Sequence, residues 1–208
     1  MSKFKAVLVP GGYYHIFNRA VGSEKIFIVN ENYRYFLRLY EKYIGPIAES
    51  FCYCLLPNHF HFFMRIKEPE ALYERITQLQ YRAGENQSVL PIFLLQQFSN
   101  FFNAYTKGFN RQQDRKGKLF IESFNRKALS DPAYYTRLIY YVHTNPVHHG
   151  ICRHANEWPH SSYWEIINQQ GWCRHEEVIE WFGSIGGFKR FHGQEVERKP
   201  RPKEPRRF

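Results

Sequence analysis

Two short stretches of this 208-residue chain concentrate side chains that could do chemistry. In the first, PNHFHFFMRI, His59 and His61 stand two apart. Residues two apart on a strand project from one face, so both imidazoles would emerge side by side. Phe60, Phe62 and Met64 would then point the other way, into a core. Two neutral imidazoles so placed make half of a divalent metal site. Two half-buried strand histidines bonded to backbone or water are the plainer reading of the same spacing. In the second stretch, YYTRLIYYVHTNPVHHG, Tyr141 and Asn145 stand four apart and share a face if the segment is helical. Asn145 precedes Pro146, and a residue before proline tends to leave the α region. Asn145 is therefore expected at the helix end, its carboxamide turned outward. This face offers a phenol and, one turn on, an oxygen ligand; a core tyrosine followed by a helix-ending Asn-Pro fits as well.

The elements that would position these residues follow from pattern. Residues 13–21 are rich in aromatic and β-branched types after a Pro-Gly-Gly turn and read as a strand. Asn30 to Tyr43 reads as a helix capped by Asn30, with Tyr33, Phe36, Leu37 and Tyr40 at helical spacing. Ile47 to Leu56 and His59 to Lys67 read as strands joined by the Pro57-Asn58 turn. Pro69 to Asn110 reads as helix in at least two pieces broken near Ser88–Pro91, and Arg111 to Lys118 as a charged loop. Leu119 to Leu129 reads as a fourth strand, and Asp131-Pro132 opens a helix running to about Asn145. Shorter helices are expected at Tyr163 to Asn168 and near Glu176 to Phe182. The order β-α-β-β-α-β, followed by a helix, predicts an α+β fold of ferredoxin-like, split βαβ type, an antiparallel sheet with helices on one face. The expected organisation is a domain at 1–150, a helical extension of it at 151–188, and a basic tail at 189–208.

Composition narrows the partner. The formal net charge is +10, and aromatic residues make up 18% of the chain. A protein this basic commonly meets a polyanion, and aromatics serve equally as core and as platforms for stacking bases. The last eleven residues hold six cations (Arg198, Lys199, Arg201, Lys203, Arg206 and Arg207) and three prolines, so they are expected to stay disordered until they meet an anion. Cys52, Cys54, Cys152 and Cys173 have neither zinc-knuckle spacing nor the look of a disulfide framework. No segment suggests a signal peptide or a membrane span, so a soluble, cytoplasmic protein is expected, associated with the nucleoid when bound to DNA.

Taken in order, the stretches YYHIFNRAVGSEKIF, CLLPNHFHFFMRI, GKLFIESFNRKAL, YYVHTNPVHHGI and WPHSSYWEI resemble the HUH endonucleases. Within them the chain is most similar to single-tyrosine transposases of the insertion-sequence type, in the branch of the REP-associated tyrosine transposases. The resemblance covers residues 10–167. It implies that His59 and His61 bind a divalent metal, Mg²⁺ or Mn²⁺, that Asn145 supplies a third ligand, and that Tyr141 is the nucleophile. It further implies cleavage and rejoining of single-stranded DNA through a 5′-phosphotyrosine, with DNA hairpins of inverted-repeat or REP-like type as substrate. Tyr140, about 100° around the helix, is the fallback nucleophile.

Arg19, Arg65, Arg126, Lys127 and Arg137, with His148 and His149, are the candidate DNA contacts. His143 is a further phosphate-contact candidate, while a core role suits His15 better than DNA contact. A monomer and a homodimer both remain open. The alternatives are a replication- or plasmid-type nicking enzyme and a non-catalytic binder of hairpin DNA or RNA.

Overall fold

A computed structural model describes residues 5–81, 89–121 and 123–194. Strands β1 (Tyr13–Arg19), β2 (Ala48–Leu56), β3 (His59–Ile66) and β4 (Asn125–Leu129) pair antiparallel in the order β2-β3-β1-β4. Helix α1 (Asn30–Tyr43) joins β1 to β2, and β3 lies between those two strands. That is the split βαβ arrangement, in an α+β chain. Helices α2 (Pro69–Gln78), α3 (Val89–Gln112), α4 (Tyr135–His148), α5 (Tyr163–Asn168), α6 (His175–Trp181) and α7 (Ile185–His192) complete the described elements.

Strand alternation sorts side chains onto two faces. Tyr14, Ile16, Phe60, Phe62 and Met64 join the apolar stripes of α1 and α3 in one core. Phe51, Cys52, Cys54, Leu56 and Phe63 join α4, α5, α6 and α7 in another. The expected helical layer over one face is thus α1 with α3; α4 and the C-terminal helices form a further layer on the opposite face, where His59 and His61 project.

Several boundaries differ from the sequence pattern, each for a local reason. Asn30 is the first helical residue of α1, and capping falls to Asn32, whose Oδ1 accepts from the Ile28 and Val29 amides at 3.0 and 3.1 Å. Helix α3 begins at Val89, with Pro91 in its first turn, where a proline costs no internal hydrogen bond. The expected fourth strand forms only over Asn125–Leu129: Phe120 keeps a single antiparallel bridge to Ala20, and Leu119, Phe120 and Phe124 bury their side chains in the α1/α3 core. Helix α7 runs past position 189, so four residues assigned to the tail are helical. The tail's cationic residues, from Arg198 onward, lie outside the described residues.

Helix α4 does not stop at Asn145. It continues through Pro146 to His148 and closes on Gly150, whose φ of +68° lets the Ile151 amide reach the Pro146 carbonyl at 2.9 Å. Val142, Pro146 and Val147 are buried, and that packing outweighs the backbone preference of a residue before proline.

Helices α7 and α4 are tied by a chain of buried groups whose protons are all determined. His192 Nδ1 donates to the Phe188 carbonyl at 2.9 Å, so its Nε2 accepts from His143 Nδ1 at 3.0 Å. His143 Nε2 then accepts from the Ser162 hydroxyl at 2.9 Å. Burial holds the His192 pKa down at about 4. Below the unfolded value of about 6.5 the unfolded chain therefore binds a proton that the native ring refuses, and stability falls as pH drops toward 4. Urea titrations should show this loss, up to about 3 kcal/mol from this group. His192→Gln should remove this group's share of the pH dependence over the same window.

Candidate active site between the sheet and helix α4

The expected trio comes together. His59 and His61 leave β3 on the α4 side, with ring centroids 5.2 Å apart and planes perpendicular. His59 Nδ1 lies 2.7 Å from Asn58 Oδ1, and its Nε2 lies 3.0 Å from Asn145 Oδ1. A neutral imidazole carries one proton, so only one of these oxygen contacts can be an ordinary hydrogen bond from the ring. A cation shared by His59 Nε2 and Asn145 Oδ1 would satisfy the other. Two neighbouring ligands each about 2.1 Å from Mg²⁺ stand about 3 Å apart in an octahedral shell, so the separation suits such an ion. His61 stands beside His59 on the same strand face.

Tyr141, 36% exposed, stands beside this trio. Its ring meets His61 edge-on at 5.6 Å and His15 at 6.1 Å, and lies 6.1 Å from His148. Tyr140 points elsewhere: its ring packs on Phe191 and His192 of α7. The i, i+4 relation places Tyr141 and Asn145 along one stripe of α4, over the two strand histidines.

His143 is not a phosphate contact. It is fully buried, and both its ring nitrogens are engaged by His192 and Ser162. His148 and His149 do reach the site. His148 Nε2 lies 3.3 Å from Thr144 Oγ1, and the His149 ring is 4.8 Å from that of His59.

The candidate cations divide into two groups. Arg19 is the register partner of His59 across β1 and β3 and is exposed. Lys127 is the register partner of His15 and is also exposed. Arg137, one turn before Tyr141, leans over the Tyr134 ring at 5.8 Å. Lys127, Arg137, Tyr134 and His15 line a groove of about 380 Å³ between β4 and the start of α4. These cations rim the site.

Two others do not. Arg126 leaves the opposite face of the sheet, where its Nε donates to the Ala6 carbonyl at 2.6 Å and its guanidinium covers the Phe124 ring. Arg65 is engaged inside the protein, bonded to Glu49 at 2.5 and 2.9 Å, to Glu177 at 3.2 Å and to the Tyr13 hydroxyl at 2.9 Å. Its charge is offset by these two carboxylates.

The residue that pattern reading undervalued is His15. Its Nε2 lies 2.9 Å from His61 Nδ1. Burial, with Lys127 adding to it, lowers the His15 pKa to about 3, so the ring is uncharged at neutral pH. Its alternation with Phe17 and Arg19 on β1 was the available signal; the pairing with β3 was not readable from spacing.

No protein-family model matches the chain. A curated Haemophilus influenzae protein, provisionally named a REP-associated tyrosine transposase, is 25% identical over 117 residues, 55% of this chain. The aligned region spans 58% of that relative's length. A solved REP-associated tyrosine transposase bound to a REP hairpin superposes with a TM-score of 0.57 at 18% identity, covering 81% of this chain and 87% of that one. This chain has the fold of a REP-associated tyrosine transposase. Within the REP-associated tyrosine transposase fold, the trio and Tyr141 occupy the gap between sheet and α4. Among the described residues, no helix is long and apolar enough to cross a membrane.

The two groups of arginines behave differently under substitution. Arg65→Ala should lower unfolding stability by about 1 kcal/mol in urea titrations, since Glu49 loses its close guanidinium partner while Glu177 keeps Arg174. Arg137→Ala, at an exposed position, should leave stability nearly intact in the same titrations.

Proposed function

We propose that this protein cleaves and rejoins single-stranded DNA beside hairpins, with Tyr141 as the nucleophile and a divalent cation, Mg²⁺ or Mn²⁺, held by His59, His61 and Asn145. The observation that carries the reading is the 3.0 Å approach of His59 Nε2 and Asn145 Oδ1, from elements 86 residues apart, beside the exposed ring of Tyr141. The two relatives support it: one is provisionally named a REP-associated tyrosine transposase, and the other was solved on a REP hairpin.

When bound, the cation would draw charge from the non-bridging oxygens of the scissile phosphate. The chain's own residues do the rest. Asn145 and the two histidines orient the phosphate, and Arg19, Lys127 and Arg137 hold neighbouring phosphates along the rim. Tyr141 loses its phenolic proton as its oxygen attacks phosphorus. The bond to the departing 3′ oxygen breaks, and that oxygen leaves as a hydroxyl after taking up a proton. The 5′ strand end stays on Tyr141 as a phosphotyrosine diester, and another 3′-hydroxyl can reverse the step and join strands.

The trio brings no negative charge of its own. Among the described residues, no group of three His, Cys, Asp or Glu could hold a metal ion. Two imidazoles and an amide bind a hard cation weakly, so the DNA phosphate would supply the anionic oxygens and cation and substrate should bind cooperatively.

Incubating the protein with a labelled single-stranded hairpin from the DNA flanking its gene, in Mn²⁺, tests the chemistry. A covalent adduct that vanishes in Tyr141→Phe and persists in Tyr140→Phe is the expected result. Tight hairpin binding with no adduct at any Mn²⁺ concentration would favour the non-catalytic binder. His59→Ala should abolish the adduct with hairpin affinity in metal-free buffer unchanged; loss of both would make His59 structural.

A further inference from the structure

We infer that His15 is a positioning residue for the cation site, accepting the Nδ1 proton of His61 so that the other nitrogen of His61 is presented as a ligand. The inference rests on the proposed role of the trio. Metal-bound histidines ordinarily donate their second ring proton to a carboxylate, a backbone carbonyl or water, which fixes tautomer and ring orientation. Here the neighbour of His61 Nδ1 is another imidazole nitrogen, His15 Nε2 at 2.9 Å.

The surroundings hold that contact in place. His15 and His61 are 9% and 6% exposed, and their rings stack with centroids 5.1 Å apart and planes 24° apart. Register explains the approach. His61 lies opposite Phe17, and His15 lies opposite Phe63, so the two histidines are diagonal neighbours on one face of adjacent strands. The Phe17 ring packs on both, at 4.8 Å from His15 and 5.8 Å from His61, and the Tyr141 edge closes the other side.

The one proton that bridges this contact can belong to either ring. If His15 donates, the remaining proton of His61 sits on Nε2 and blocks it as a ligand. If His61 donates, its Nε2 carries a lone pair, and the proton of His15 falls on Nδ1. Cation binding therefore selects the second arrangement. His15 also lines the groove shared by Lys127 and Arg137, so this ring connects the cation site to the rim that would receive the DNA backbone.

Co²⁺ binding is the readout, because imidazole ligands raise its affinity above that of Mg²⁺ or Mn²⁺. Titrating the full chain calorimetrically with Co²⁺, His15→Phe should bind about 10- to 100-fold more weakly than wild type, the cost of losing such an outer partner. His15→Gln, whose side-chain oxygen can accept the same proton, should recover to within about 3-fold. Wild-type Co²⁺ affinity in His15→Phe, or no advantage of Gln over Phe, would overturn the inference. Should wild type bind Co²⁺ no better than His59→Ala, the trio itself fails and takes this inference with it. Should His15→Phe not fold, nitrogen-15 NMR of wild type in Mg²⁺ still decides: a proton on His61 Nδ1 is expected, and one on Nε2 would overturn it.

Discussion

The contact of α4 with the sheet sets the distances on which the proposed chemistry depends. Asn145 reaches His59 only because Val142, Pro146 and Val147 are buried against the layer beneath, holding the last turn of the helix over β2 and β3. The same seating brings Tyr141 over His61 one turn earlier. A shift of α4 by one residue would rotate the phenol by about 100° and exchange it with Tyr140, which faces α7. The C-terminal helices, far from the chemistry, therefore contribute by holding α4 in register: the buried chain from Ser162 through His143 to His192 ties them to it.

Electrostatics complete the picture. The pocket centre consists of two imidazoles and an amide, while the exposed cations sit around it on β1, β4 and α4. An arrangement of this kind binds little by itself and much with a phosphodiester, since the ligand brings the anionic oxygens that both cation and rim require. On the proposed function, the chain's excess charge of +10 would act over longer range, drawing single strands toward the rim.

Much of this was legible from spacing. Period-two alternation put His59 and His61 on one strand face, and the four-residue step put Tyr141 and Asn145 on one helix face. What escaped were facts of tertiary partnership. Asn145 is inside the helix because buried neighbours outweigh a local backbone preference. Arg65 looked available for DNA, yet Glu49 and Glu177 come from a different strand and a distant helix. Arg126 lies on the wrong face, which depends on the register of β4 against β1. Helix α7 was hidden by Gly186 and Gly187, poor helix formers whose segment is held by the buried Phe188. His15 could be assigned its neighbour only once β1 was aligned with β3.

The most direct test of the shared pocket is anomalous scattering from crystals of the Tyr141→Phe protein grown with Mn²⁺ and an uncleaved hairpin strand. The account predicts one manganese peak within about 2.3 Å of a nitrogen from each of His59 and His61 and of Asn145 Oδ1, also bound to a phosphate oxygen. A fully occupied manganese elsewhere on the DNA path, with His59 and Asn145 still in direct contact, would contradict it.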